Sequence, residues 1–247
     1  GGESAEAVRV GDHVLRIPHG RLHATDLARE VRLLRLLERR GVSAAPRDAR
    51  LLHTAEGVPI AMAYRYVDGV PSRGVALYGG SRERFTRNLG EFLGALHAVP
   101  VREARAAGVH SGDYWSAVHV PLIEACRPHL GGRLAERVDA LVAWFAPMVA
   151  RAPRTLVHGD ISGAHTLIDP AGALAGVIDF EYTAVGDPAV DLAGVLNDRS
   201  RAFLSRVLAH YPRPLDAEAL MRADVYIALA PLFTLRTAAA EGDLNAV

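Results

Sequence analysis

The chain of 247 residues has no lysine, so all 28 of its formal basic groups are arginines. Any chemistry that ordinarily uses an ammonium group must be done here by a guanidinium, which is planar, permanently charged and differently hydrated. There is one cysteine, Cys126, which excludes an intramolecular disulfide framework and a cysteine-based zinc site. A single thiol suits a reducing compartment, and a cytoplasmic location is expected. No apolar run reaches the length needed to span a bilayer, and no signal peptide is visible. Net charge is also missing: 28 acidic residues balance the arginines, so no global field draws the chain to nucleic acid or an anionic membrane. The chain begins Gly-Gly-Glu-Ser without a methionine and ends at Val247 within a helical pattern, so further residues are expected at both ends.

Half of the residues are hydrophobic and 23% are charged, an ordinary globular balance that can bury a sizeable core. Two alternating runs, Ala7–Val10 and His13–Ile17, flank Gly11-Asp12 and predict a hairpin. Thr25 and Asp26 offer a cap to a helix with Leu27, Val31, Leu34 and Leu37 on one face, ending at Gly41. Residues 49–52 and 60–67 read as strands. Beyond Asp68-Gly69 the pattern turns helical, over 85–97, 114–126 and 134–149. Short strands follow at 155–157, 166–168 and 176–178, and helices resume near Pro188. The expectation is an α+β chain with a small β-rich first part, 1–67, and a larger, mainly helical second part, 68–247.

The segment His158-Gly159-Asp160, with His165 five residues later and Ile178-Asp179-Phe180 beyond, places polar side chains at the exits of short strands. Two carboxylates and an imidazole around one cavity suit phosphoryl transfer, which needs a carboxylate to position the attacking hydroxyl and ligands for a charge-neutralising metal. By residue type alone, Asp160 also reads as a turn residue, His165 as a core histidine, and Arg16 with Glu30 as a surface ion pair. Cys126, Trp115 and Trp144 read as packing residues, and His158 as a structural anchor of its loop.

The order His-Gly-Asp-x-x-x-x-His (158–165), Ile-Asp-Phe (178–180) and Gly-Asp-Pro-x-x-Asp-Leu (186–192) resembles the signature of the aminoglycoside and macrolide phosphotransferases, distant relatives of the protein kinases. The resemblance spans nearly the whole chain and implies a bilobal, protein-kinase-like fold. It implies that Asp160 is the catalytic carboxylate and that His165 and Asp179 hold Mg2+. Most of that family has Asn in place of His165. The branch with His includes aminoglycoside 2''- and macrolide 2'-phosphotransferases, and an imidazole ligand adds tolerance of Mn2+. It further implies a nucleotide site, for ATP or GTP, formed by the loop residues Gly1, Gly2 and Ser4, by Arg16 in the place of a lysine, by its helix partner Glu30, and by the backbone of Arg65 and Val67. The strand before that loop is absent from the sequence. A second carboxylate of the last motif ties down the catalytic loop in such proteins.

An antibiotic such as an aminoglycoside is the expected acceptor, with Glu181, Asp198, Glu241 and Asp243 as its acidic partners. A macrolide would instead use an apolar wall, which residues 229–235 with Phe233 supply. A metabolic kinase of small alcohols and a non-catalytic kinase-like binding module are the remaining readings. A monomer with a nucleotide and a small hydroxyl substrate as its partners, and no nucleic acid or membrane, is expected.

Overall fold

The structure, a computed structural model, describes residues 5–19, 24–109 and 113–242. Strands β1 (Ala5–Val10), β2 (His13–Pro18), β3 (Arg50–His53) and β4 (Pro59–Arg65) form an antiparallel sheet in the order β1-β2-β4-β3. The β1–β2 turn falls on Gly11 and Asp12, with Gly11 at positive φ, as the two-residue hairpin signal requires. Helix α1 (Ala24–Arg39) covers the sheet. Its residues Leu27, Val31, Leu34 and Leu37 are buried, and Gly41 follows at φ 72°. The helix begins at Ala24, before the expected cap, so Asp26 sits in the first turn, where a carboxylate complements the helix dipole.

Helix α2 (Gly79–His97) begins six residues earlier than its apolar spacing indicated. Ser81 supplies the start by bonding back to both the N–H and the carbonyl of Tyr78. Helix α3 (Val101–Ala106) follows, then a π-helical turn at Trp115–His119 that runs into α4 (Val120–Cys126), and α5 (Gly132–Arg151). The late strands are split between two sheets. Strand β6 (Thr155–Val157) pairs with β9 (Ala184–Gly186), while β7 (Thr166–Ile168) lies between β5 (Val70–Pro71) and β8 (Leu174–Val177). Strand β8 therefore stops before Ile178, which had been expected inside it. Helices α6 (Ala189–Asp198), α7 (Arg201–Leu208), α8 (Ala219–Leu229) and α9 (Pro231–Glu241) complete the described chain. The fold has a small antiparallel sheet at one end and a helical body at the other, joined by one continuous apolar core that includes Leu34, Phe85, Leu122, Leu156 and Leu229. Trp115 and Cys126 are buried in that core. Trp144, expected there too, is 52% exposed on the outer face of α5. Among the described residues no helix is long and apolar enough to cross a membrane.

Candidate active site

The loop between β6 and β7 and the segment after β8 meet at the mouth of one cavity of about 440 Å³. Gly159 makes the first turn of the loop at φ 85°, and a Cβ there would lie 2.5 Å from the Tyr182 carbonyl oxygen and 2.7 Å from the Tyr114 ring. Only glycine meets both demands. His158 is fully buried behind the loop. Its Nδ1 accepts from the Asp160 N–H (3.3 Å), so the proton resides on Nε2, which donates to the Ile178 carbonyl (3.1 Å). Burial pushes its pKa down, so the ring is neutral and serves as a strut between the Asp160 and Asp179 segments. Asp191, in the first turn of α6, is also fully buried. It accepts from the N–H groups of His158 and Gly159 (both 2.9 Å) and from His97 Nε2 (3.0 Å). This is the tie on the loop that the last motif implied.

Asp160 is thereby held with its carboxylate half-exposed in the cavity lining. His165 Nδ1 donates to the Asp160 carbonyl (2.9 Å) and lies 3.2 Å from Asp160 Oδ2, while Nε2 is 3.8 Å from Asp179 Oδ2. The hydrogen bond to Asp160 outweighs partial burial and, with Asp179 adding to it, raises the His165 pKa to about 9. Without a cation nearby the ring is an imidazolium. Asp179 sits at φ 66°, a left-handed conformation that costs a non-glycine residue energy and recurs at functional sites. Its Oδ1 lies 3.3 Å from Arg16 Nη2 yet is buried without a hydrogen bond, an oxygen left for another partner.

Arg16 and Glu30 form a buried pair, not a surface one. Arg16 Nη1 contacts both Glu30 oxygens, at 2.7 and 2.8 Å, and Nη2 reaches toward Asp179 and Glu181 (3.7 Å). Burial pushes the Glu30 carboxyl up to about 7 even against the pull of the Arg16 guanidinium, so its ionisation depends on that partner. The pair links β2 and α1 to the Asp179 segment, and Arg29 reinforces the link by donating to the Glu181 carbonyl (2.9 Å).

Other expected positions are placed differently. The N–H of Arg65 donates to the Arg47 carbonyl (2.8 Å), which leaves only its carbonyl for a purine edge; Val67 packs against Gly176. Asp198, expected at the acceptor site, instead accepts from the N–H of Gly163 behind the loop and is absent from the cavity lining. Its carboxylate secures a turn, because the loop's backbone needs an acceptor there. Glu241 lies two turns beyond Phe233 at the exposed end of α9, outside the lining, whereas Glu181 is in it. Gly1, Gly2, Ser4 and Asp243 lie outside the described residues.

The cavity lining also includes residues that sequence reasoning missed: Tyr114, His119, Tyr226 and Arg236, alongside Phe233. The i, i+3, i+4 spacing of Phe233, Arg236 and Thr237 was a readable signal of one helix face, but which face met the loop was not. Also unforeseen was the buried network behind it. Arg222 donates to Asp187 (2.6 and 3.0 Å) and to Asp216 (2.7 and 2.8 Å), fixing α8 against the start of α6.

Residues 1–223 match the phosphotransferase enzyme family. The chain belongs to that family. Among solved structures, it is similar to the GDP complex of aminoglycoside 2'-phosphotransferase-IIIa, with a TM-score of 0.82 and 25% identity, covering 99% of this chain and 86% of the other. The apoenzyme of macrolide 2'-phosphotransferase MphH from Brachybacterium faecium superposes with a TM-score of 0.75 at 26% identity, covering 98% and 85%. Viomycin phosphotransferase of Streptomyces vinaceus is 39% identical over 57 residues, 22% of this chain, and the match spans only 20% of that relative. The kinase-like fold of this phosphotransferase family is thus the one built here from the hairpin, α1 and the loop–strand core.

Proposed function

We propose that the protein is an O-phosphotransferase that moves the γ-phosphoryl group of a nucleoside triphosphate to a hydroxyl of a small-molecule antibiotic. The observation that carries this reading is the half-exposed Asp160 carboxylate, held by a loop with no slack at the edge of a cavity that also contains His165 and Asp179. Asp160 accepts a hydrogen bond from the acceptor hydroxyl and orients its oxygen toward the γ-phosphorus. The new bond joins that oxygen to phosphorus, the bond from phosphorus to the β–γ bridging oxygen breaks, and the hydroxyl proton passes to Asp160. Arg16, braced by Glu30, faces the phosphates. The nucleotide lies in the cleft between a lobe of residues 1–67 and one of 68–247. GDP in the similar aminoglycoside phosphotransferase supports a guanine nucleotide as the donor, with ATP as the alternative.

Asp179 and His165 fit Mg2+. The Asp179 Oδ1, which makes no hydrogen bond, and the His165 Nε2 that faces the same residue are two donors, and among the described residues no third His, Cys, Asp or Glu joins them. A magnesium ion held by so few protein groups takes its other ligands from phosphates and water. Its chemistry here is to neutralise phosphate charge.

Two acceptor classes remain in view. An aminoglycoside requires carboxylates, and of those expected for it Glu181 lines the cavity. A macrolide is favoured by the wall of Tyr226, Ile227, Ala230 and Phe233. The test is nucleotide consumption with ATP and with GTP against aminoglycosides, macrolides and amino alcohols, for the wild type and Asp160→Asn. Acceptor-dependent turnover that falls at least about 100-fold in the variant, with nucleotide affinity retained, is expected. Equal turnover in the two proteins would overturn the assignment.

A further inference from the structure

Charge is unevenly distributed along the cavity. Its carboxylates, Asp160, Asp179 and Glu181, gather at the end where the loops meet, and each lies within 4 Å of His165 or Arg16. The rest of the lining is largely aromatic and apolar: Tyr114, whose hydroxyl donates to the Gly159 carbonyl (2.7 Å), leads from the loop to His119, Tyr226, Ile227, Ala230 and Phe233, and the charged side chain among them is Arg236. No carboxylate among the described residues pairs with Arg236, whose guanidinium carbon lies 5.6 Å from the centre of the Phe233 ring. His119 sits below, stacked on Trp115 at 5.3 Å and surrounded by Tyr114, Tyr226 and Phe233. Its Nδ1 is buried with no hydrogen-bond partner among the described residues. Burial pushes its pKa down to about 4, so it adds no second positive charge, only an apolar face with a hydrogen-bonding edge.

We infer that Arg236 and the aromatic floor around His119 form a subsite for a neutral, apolar ring bearing a carbonyl or similar oxygen, and that Arg236 selects against acceptors with ammonium groups remote from the reacting hydroxyl. The inference rests on the phosphotransfer reading for which end of the cavity reacts. An acceptor with one amine beside its reacting hydroxyl places that amine among the carboxylates and its ring on the aromatic wall. An acceptor with amines spread over several rings brings at least one of them against Arg236, where like charges repel. Arg236 is therefore a specificity determinant rather than a catalytic residue.

Binding alone tests this, without turnover. Trp144→Phe leaves Trp115, which stacks on His119, as the single tryptophan and a fluorescence reporter of the floor. In that background, Kd is measured for a macrolide with one tertiary amine and for kanamycin, in the parent protein, Arg236→Gln and Arg236→Glu, with the thermal midpoint as a check on folding. The parent should prefer the macrolide. Arg236→Glu should weaken the macrolide and tighten kanamycin, each by about tenfold, with Arg236→Gln between. His119→Phe removes the unpaired nitrogen and should raise the thermal midpoint while weakening the macrolide. A parent that prefers kanamycin, or Kd values that move less than about twofold in Arg236→Glu, would overturn the subsite. The expected binding shifts without phosphoryl transfer to either compound would instead leave the subsite standing and remove the proposed reaction.

Discussion

Asp191→Ala should be among the most damaging single substitutions in the helical body. Asp191 is fully buried, and its loss leaves three donors without an acceptor: the N–H groups of His158 and Gly159 and the Nε2–H of His97. Bonds to a charged group contribute about 1.5–3 kcal/mol each, but the three are not additive, since the loop can shift and water can enter. Removing one partner of a buried ionic cluster typically costs ~3–5 kcal/mol, a large part of the ~5–15 kcal/mol that holds a domain together. For a chain of this size that lowers the thermal midpoint by about 6–20 °C, at ~2–4 °C per kcal/mol. Because the same bonds hold the turn before Asp160, turnover should also fall, by about 100-fold for a displacement of 1 Å. Asp191→Asn retains one acceptor and should lie between. The pH dependence adds a separate check. Burial alone would raise the Asp191 pKa, but His97, His158 and the Gly159 N–H outweigh it and hold it below the ordinary value. The stabilisation is therefore full above the unfolded value of about 3.9 and is lost as pH falls through the lower folded value. Calorimetry or circular dichroism of the three proteins between neutral and acid pH measures both effects. A thermal midpoint within about 2 °C of wild type for Asp191→Ala would refute the reasoning.

Arg16→Gln and Glu30→Gln should be non-additive in nucleotide Kd, with a coupling of about 0.5–3 kcal/mol in a double-mutant cycle; strictly additive losses would mean that the pair does not act as a unit. His165, with its pKa raised to about 9, must lose a proton to take a metal, so apparent Mg2+ affinity should rise with pH up to that value. The ion-pair contribution of the same residue to stability runs the other way, being full below about 6.5 and lost as pH rises through about 9. His165→Asn should abolish the pH dependence of the Mg2+ titration, and an unchanged dependence in that variant would assign the titration to another group. Gly159→Ala should cost at least about 1–3 kcal/mol in urea unfolding from its positive φ alone, and more from contact with Tyr182 and Tyr114; a neutral effect would show that the turn is not as tight as described.

The local elements were legible because each rests on short-range physics. Gly11-Asp12 between two alternating runs leaves little but a hairpin, and the spacing of Leu27, Val31, Leu34 and Leu37 dictates the buried face of α1. The loop motif could be read for the same reason: His158, Gly159, Asp160 and His165 lie within eight residues, and their order resembles a known family. Strand β9, three residues long, carried no periodicity. Strand β8 ended earlier than its apolar residues suggested, because Ile178 bonds to His158 and His165 rather than to a strand. What the sequence by itself determined was the chemistry available: a guanidinium where an ammonium is usual, and a carboxylate and an imidazole at the ends of short strands. Tertiary structure decided which of the charges share a cavity. Asp198 turned to a backbone N–H behind the loop, and Arg236, a residue with no motif around it, came to line the same cavity as Asp160 and Glu181. Residues so distant in the chain meet only through the packing of α8 and α9 on the loop core. Their meeting depends on the sum of many weak apolar contacts, which no local pattern encodes.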